Sequence, residues 1–393
     1  MAAVRGIYEM TSSHNFILWE SAPVGQVAAH VAIAGDFLPA GNLKFNSGGG
    51  WREMAASLAP CFEDVSISFV NLESALGIDG LAPRPLNGLG QIVSAPASAL
   101  EYLDAIHSHA LGIANNHSYD FADAGVDRTR SAISRRGMIP LGAGRSLAGS
   151  PEVFVWQGPG HIRVGFWAAA RATLDPAREK SVGVEPATPA RARQALEALE
   201  NQGAQFSIAL IHAGCLRTNR PDPQEVRLMD TLATCGFDIV AASHSHRISG
   251  HKQLGGSRRN PSFCFYGLGS LVSGYVSSPL ERDGLIVVAG LNSYGELMRL
   301  ELRPVLLEES GFGIFPSAEI SRTILNRFQE LSSEIADGSF ERRFYRDMSK
   351  GLLRLYLRDV KMAYRQAGLR GLARKASRLR VRHVRRLAHK VVG

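Results

Sequence analysis

Residues able to bind metal recur along the first two thirds of the chain, each just after an apolar run. Asp36 follows HVAIAG, Asn71 and Glu73 follow SISFV, and Asn115, Asn116 and His117 follow LGIA. His212 follows SIALI, and His244 and His246 follow DIVAAS. Gathering carboxylates, amide carbonyls and imidazoles at one edge of a fold carries a desolvation cost that a bound cation would offset. Oxygen and nitrogen donors without thiolate suit manganese, iron or zinc better than magnesium or calcium. Six or more candidate ligands exceed the needs of one tetrahedral ion, so the pattern points to two divalent metal ions. A carboxylate shared by both would let them act on one water and bring its pKa toward neutrality. Singly, each residue has a plainer reading. Asp36 could cap or turn, Glu73 could form a surface ion pair, His212 could be a satisfied core histidine, and Asn115-Asn116 could mark a turn. His244-Ser245-His246 puts alternate residues on one face of a strand, which suits two ligands of one site.

These residues need elements to bring them together. The chain alternates short β-rich runs with helical segments, as an α/β or layered-sheet protein does. The expected strands are HVAIAGDF (30–37), DVSISFVNLE (64–73), HALGIANN (109–116), RVGFWAAA (163–170), QFSIALIHAG (205–214), DIVAASHSH (238–246), PSFCFYGLGS (261–270), GLIVVAGL (284–291) and LMRLELRPV (297–305). Most early ones are continuous apolar runs, which suits sheets covered on both faces. The last two hint at an antiparallel edge. Helices are expected near 97–106, 123–136, 189–201 and 224–235, the last opened by Pro223 and closed by Gly236. Polar groups at strand ends then lie where α/β folds place ligand sites. After residue 306 the pattern becomes helical, with one helix over 317–338 and one or two basic amphipathic helices over 341–391, broken at Gly368 and Gly371.

Length and composition are ordinary: 393 residues, 45% hydrophobic, 20% charged, mean hydropathy −0.04. That is enough chain to bury a core without staples and excludes collagen and low-complexity disorder. No run approaches the ~20 apolar residues of a membrane-spanning helix. The N-terminus MAAVRGIYEMTSSHNF lacks the apolar core of a secretory signal. Cys61, Cys215, Cys235 and Cys264 form no CxxC pair and read as reduced structural thiols of a cytoplasmic chain.

The net charge of +8 is unevenly spread. From Arg342 to Gly393, seventeen Lys/Arg stand against Asp347 and Asp359, whereas residues 1–341 carry 27 basic and 34 acidic groups. The basicity belongs to the tail, which leaves nucleic acid the least favoured partner. Leu352, Leu353, Leu355, Tyr356 and Val360 lie among Arg354, Arg358, Lys361 and Arg365, a basic amphipathic pattern. Such a segment can rest on an anionic membrane surface at roughly 1 kcal/mol per Lys/Arg. It can also hold an acidic partner or polymer, or pack on the acidic body. Arg171 and Arg178 in RATLDPAR could face an anionic substrate or lie on a solvated loop. GNLKFNSGGGW (41–51) lacks phosphate-loop spacing and reads as a site margin.

The order of the polar motifs resembles the CapA family, the metallophosphatase-like poly-γ-glutamate capsule biosynthesis proteins. The matching words are AGDFLPAGN (34–42), FVNLES (69–74), ANNHSYDFADAG (114–125) continuing to GMIPLGAG (137–144), LIHAG (210–214), CGFDIVAASHSHRISG (235–250) and FYGLGSLV (265–272). The ANNHxxDxxxxG stretch is the most specific of them. The resemblance implies an α/β fold: a four-layer α/β/β/α sandwich of metallo-dependent phosphatase type, with a C-terminal helical extension. The expected organisation is an N-terminal extension (1–30), a CapA-like body (31–305) and a basic helical extension (306–393).

The family's ligand roles carry over to Asp36, Glu73, Asn116, His212, His244 and His246, with Glu73 as the bridging carboxylate. His117 would be a general acid or anion-binding group, and Asp120 would fix its tautomer and raise its basicity. Four features depart from the family pattern. Leu216 stands where His-x-Gly-x-Glu has its Glu, and Ala242 and Ser243 precede the histidines where a Gly is usual. Ser270 replaces the Asn of SLGN, and no membrane anchor reads upstream of the body. The function implied is capsule or poly-γ-glutamate-type polymer biosynthesis, with a two-metal hydrolase centre acting on an anionic polymer or phosphoester. The alternatives are a metallophosphoesterase for a small or lipid phosphoester, and a catalytically silent scaffold binding polymer or synthase. The expected location is the cytoplasm, with the tail offering a peripheral place on the inner membrane face.

Overall fold

The computed structural model describes residues 16–21, 26–45, 49–84, 91–145, 149–171, 182–216, 218–255 and 260–349. Within them the apolar runs assemble two large sheets. The first has the order Phe16–Glu20, Leu297–Leu307, Asp283–Leu291, Ala29–Gly41, Ile67–Leu72, Ser108–Gly112, Ile139–Leu141. Neighbours are parallel from Ala29–Gly41 to Ile139–Leu141 and antiparallel on the other side. The second has the order His251–Leu254, Ser262–Phe265, Ile239–His244, Phe206–Ala213, Arg163–Ala170, Phe154–Gln157, four parallel strands between antiparallel edges.

Side-chain alternation along each strand builds the layers. Val31 and Ile33 of the first sheet share a core with Phe166, Ile208 and Leu210 of the second. Their neighbours Ala32 and Ala34 face the other way, with Leu100, Leu103 and Ile133 of the helices Leu100–Ala105 and Ala122–Ser134. On the far side, Trp167, Ile211 and Val240 pack with Leu196 and Met229 of the helices Pro189–Asn201 and Pro223–Cys235. The result is a four-layer α/β/β/α sandwich, and burial on both strand faces is why the strands read as unbroken apolar runs. Helix Pro223–Cys235 begins as its sequence indicates, with Asp222 accepting from Gln224 N, Pro223 at its first turn, and Gly236 closing it at φ 128.

Several expectations need correction. PSFCFYGLGS is not one strand: Ser262–Phe265 belongs to the second sheet and Ser270–Gly274 to the first, because Gly269, at φ 68, turns the chain between them. HALGIANN stops at Gly112, leaving its asparagines in a loop. The antiparallel strands over 284–305 lie inside the sheet, because Phe16–Glu20 takes the edge beyond them.

Helix Ala318–Ala336 inserts Ile324, Leu325 and Phe328 into the core between the sheets. Residues 339–349 are also helical; the remainder of the expected basic helices lies outside the described residues. Among the described residues no helix is long and apolar enough to cross a membrane. The four cysteines are free.

At the edge holding the N-terminal ends of the parallel strands, Asp238 accepts from Ser207 N (2.7 Å), Ser207 Oγ (3.0 Å) and Asn260 Nδ2 (3.2 Å). Asn260 Oδ1 accepts from Leu297 N (2.8 Å), which ties this corner to the first sheet. Burial outweighs those hydrogen bonds and pushes the Asp238 carboxyl up to about 6. A carboxyl that holds its proton more tightly when folded makes stability fall as pH rises between the unfolded and folded values, about pH 4 to 6. Urea titrations should show that slope in the parent and its loss in Asp238→Asn, which also costs about 1–3 kcal/mol in weakened hydrogen bonds. An unchanged slope in the variant would reject the assignment.

Candidate metal centre

The centre lies where the two sheets present the carboxyl ends of their parallel strands. Asp36 sits at an irregularity within Ala29–Gly41, where that strand passes from pairing Asp283–Leu291 to pairing Ser270–Gly274. Gly35 permits the crossing, since a Cβ there would collide with the Gly269 carbonyl. Glu73 directly follows Ile67–Leu72, and its N–H donates to Phe37 O at 3.0 Å. His212 lies near the end of Phe206–Ala213, and His244 ends Ile239–His244.

The loop after Ser108–Gly112 divides the labour of its two asparagines. Asn115 is a buried brace: Nδ2 donates to Leu72 O at 2.7 Å, and Oδ1 accepts from His117 N and Ser118 Oγ, both at 3.0 Å. That brace leaves Asn116 facing the second sheet, with Oδ1 2.6 Å from His212 Nε2.

All six sequence-derived ligand candidates therefore lie at one seam, and donors of five of them fall into two overlapping groups. Atoms of Glu73, His212 and His244 lie within 4.8 Å of one another, as do atoms of Asp36, Glu73 and His246. Glu73 belongs to both: Oε1 is 3.5 Å from His212 Nε2 and 3.7 Å from His244 Nδ1, and Oε2 is 3.7 Å from His246 Nδ1. His246 Nδ1 also lies 3.0 Å from Asp36 Oδ2. The expectation that the two histidines share one face of a strand fails. The strand ends at His244, and the imidazoles converge because His244 (φ 108) and His246 (φ 53) both have positive φ. Such backbone costs about 1–3 kcal/mol per residue and persists only where its surroundings enforce it. Here Asp36 Oδ2 accepts from His244 N at 3.0 Å.

The electrostatics call for positive charge. Asp36 and Glu73 are 0% and 1% exposed. Burial disfavours charge on Asp36, yet the hydrogen bond and charge of His246 and the His244 N–H hold its carboxyl below the ordinary range. Burial likewise opposes charge on His246, but Glu73 and Asp36 overcome it and raise the imidazole to about 9. His212, buried beside His244, His246 and His117, is held well below the ordinary histidine range. Glu73 Oε2 and His244 Nδ1 are buried with no hydrogen-bond partner among the described residues. Two buried orphan acceptor sites beside an acidic pair fit a divalent cation.

His117 and Asp120 stand at the margin. His117 Nδ1 is 2.8 Å from Asp120 Oδ2, which also accepts from Val93 N at 2.7 Å, and His117 Nε2 reaches to 4.0 Å from Glu73 Oε1. Arg171 is not turned to the centre: Asp222, Glu225 and Gln224 hold its guanidinium. Arg178 lies outside the described residues, as do residues 46–48 of the glycine-rich stretch. Leu216 is exposed on the loop after His212.

Three supporting residues, Asn71 among the strand-end candidates and two serines, were given no ligand role from the sequence. Asn71 Nδ2 donates to Asp36 Oδ1 at 2.7 Å and lies 3.3 Å from His212 Nδ1. Ser243 Oγ lies 3.3 Å from His212 Nδ1, and Ser270 Oγ lies 3.3 Å from His246 Nδ1. Both serines stand where the resemblance expects another residue, and that departure was their only sequence signal. The tautomer that frees His212 Nε2 as a donor to metal places a proton on Nδ1, and the Ser243 hydroxyl can accept it. Ser243→Ala is accordingly expected to weaken Mn²⁺ or Zn²⁺ binding about tenfold by calorimetry, with the fold intact by circular dichroism. Equal affinity would show that the hydroxyl is a bystander.

The family model of bacterial capsule synthesis protein PGA_cap matches residues 30–275. The PGA biosynthesis protein CapA of Bacillus subtilis (strain 168) is 23% identical over 217 residues, 54% of this chain and 54% of its own. The capsule biosynthesis protein CapA of Bacillus anthracis is 23% identical over 242 residues, 58% of this chain and 54% of its own. The chain thus spans about half the length of these curated relatives. Similar solved structures include the calcineurin-like phosphoesterase YfkN of Bacillus subtilis, 12% identical with TM-score 0.44, covering 79% of this chain and 99% of that one. Another is a 5'-nucleotidase precursor of Thermus thermophilus, 12% identical with TM-score 0.46, covering 77% and 58%. With the family model matched from residue 30 to residue 275, the chain belongs to the bacterial capsule synthesis proteins of the PGA_cap (CapA) family.

Proposed function

We propose that this chain is a metal-dependent hydrolase acting in the synthesis of a capsule polymer of the poly-γ-glutamate type. The observation that carries the reading is the pair of donor groups sharing Glu73, with the buried Glu73 Oε2 and His244 Nδ1 left without hydrogen bonds. Asp36, Glu73 and His246 would hold one divalent ion, and Glu73, Asn116, His212 and His244 a second. Bound there, such ions supply Lewis acidity toward a phosphoryl or carbonyl oxygen.

The remaining work falls to the protein's own groups. Asp120 accepts the Nδ1 proton of His117, which fixes the ring and turns Nε2 toward the centre. A protonated His117 can then deliver a proton from Nε2 to a leaving oxygen or nitrogen. Asn71 keeps Asp36 oriented by donating to its outer oxygen. Deep burial of Asp36, Glu73 and His212 limits competing water.

Two measurements test the reading. Elemental analysis of the purified protein should find divalent metal in the parent and much less in Asp36→Ala and His246→Ala. Parent protein with Mn²⁺ should then turn over γ-glutamyl peptides or phosphoesters, and both variants should not. His117→Ala is expected to keep its metal while losing about 10²–10⁴-fold in kcat. A parent that binds no metal, or turnover that survives loss of Asp36, would remove the hydrolase reading.

A further inference from the structure

Two loops of the second sheet flank its imidazoles, and both are fastened to helices beyond the family-matched part of the chain. The match ends at residue 275, whereas the helices are Ala318–Ala336 and 339–349. The loop after Phe206–Ala213 leaves His212 and runs against the turn that holds His244 and His246. There Gly214 packs so closely that an added Cβ would lie 2.9 Å from Ser245 N. Buried Asn219 donates through Nδ2 to Ile248 O at 3.0 Å. Arg220 then reaches both helices. Its Nε and Nη2 donate to Glu334 at 2.6 and 2.8 Å, and its Nη1 donates to Asp347 at 2.7 Å. Cys215 Sγ adds a contact of 3.5 Å to Met348 Sδ.

Helix Ala318–Ala336 also holds the far end of the histidine turn. A Cβ on Gly250 would collide with Ser332 N. His251 N donates to Ser332 Oγ at 3.0 Å, and the His251 ring stacks on Phe328 with centroids 5.3 Å apart. Between these anchors, His244 and His246 keep positive φ, a conformation that persists only where the surroundings enforce it. Asp36 holds the His244 N–H at the start of the turn. Beyond it, Ser249 N donates to Gly267 O at 3.0 Å, and the Asn219 and Ser332 bonds secure the backbone as far as His251.

We propose that the two C-terminal helices buttress the imidazole half of the metal centre, with Arg220 as the positioning residue that transmits their support. This rests on the metal-centre reading above. The carboxylates are set within the first sheet, by Asn71 on Asp36 and by Phe37 O on the Glu73 N–H. Loosening the buttress therefore moves imidazoles relative to carboxylates and leaves the donor types unchanged. His244 belongs to one donor group and His246 to the other, so both groups are disturbed together.

The test loads the full chain with Co²⁺, whose visible absorption reports the geometry of its ligands. Arg220→Met should weaken Co²⁺ binding at least about tenfold and shift the absorption bands, as loss of support behind metal ligands does. Arg343→Met is the matched control, because Arg343 donates to the same Glu334 at 2.8 Å from within the helix over 339–349. It should keep the parent's affinity and spectrum. Arg220→Lys, which can bond one carboxylate but not fork across two, should fall between. Ser332→Ala loosens the turn from its other end and should change affinity and bands in the same sense. It takes the place of Arg220→Met if urea titration shows that variant unfolded.

In metal-free buffer, hydrogen exchange reads the turn directly. The amides of His244, Arg247 and Ser249 should exchange at least about tenfold faster in Arg220→Met than in Arg343→Met, while those of Val240 and Ala241 stay as in the parent. Co²⁺ affinity and spectrum in Arg220→Met that match the control would overturn the proposal. So would turn amides that exchange no faster than the control's. A parent that takes up no Co²⁺ sinks the hydrolase reading separately, and exchange in metal-free buffer then decides the buttress alone.

Discussion

Two carboxylates, Asp36 and Glu73, are buried almost completely at the seam between the sheets. A pair of negative charges in that position is stable only if positive charge is brought to it. In the protein alone, His246 meets part of the demand by holding its proton to about pH 9. His212 does not, since burial among other imidazoles keeps it neutral. The seam therefore holds more acceptor capacity than its own groups can satisfy, and the unpartnered Glu73 Oε2 and His244 Nδ1 are where the deficit shows.

The sandwich makes that arrangement possible. Each sheet has parallel strands whose carboxyl ends reach the same edge, so the first contributes Asp36, Glu73 and Asn116 and the second contributes His212, His244 and His246. Only the two sheets together bring Asp36 and Glu73 against His212, His244 and His246. The packing that joins them is apolar, through Phe69, Phe166, Ile208 and their neighbours, and sets the separation of the two half-sites. Arg220 adds a second tie, joining the loop after His212 to the C-terminal helices.

The departures from the family pattern acquire a physical meaning at this seam. Ser243 and Ser270 each place a hydroxyl 3.3 Å from an imidazole Nδ1, one on His212 and one on His246. They support the donor set without joining it, and Leu216 is exposed on a loop that now meets the C-terminal helix through Cys215 and Met348. The departures thus fall on hydroxyls and a loop beside the six residues gathered at the seam, not on those residues themselves.

What the residues determined by themselves is local. Apolar runs gave most strands of the two sheets, though not Phe16–Glu20, Phe154–Gln157 or His251–Leu254, and Pro223 and Gly236 gave the ends of a helix, because φ preferences act within a few residues. Motif order singled out six residues that the fold brings to one seam. Tertiary structure decided how they meet. Gly269 splits one apolar run between two sheets, Asn115 becomes the brace that frees Asn116, and His244 and His246 converge through positive φ, not strand alternation. Those outcomes depend on contacts between residues far apart in the chain, such as Asp36 with His244 N, and no local pattern encodes an interaction whose partner is some two hundred positions away.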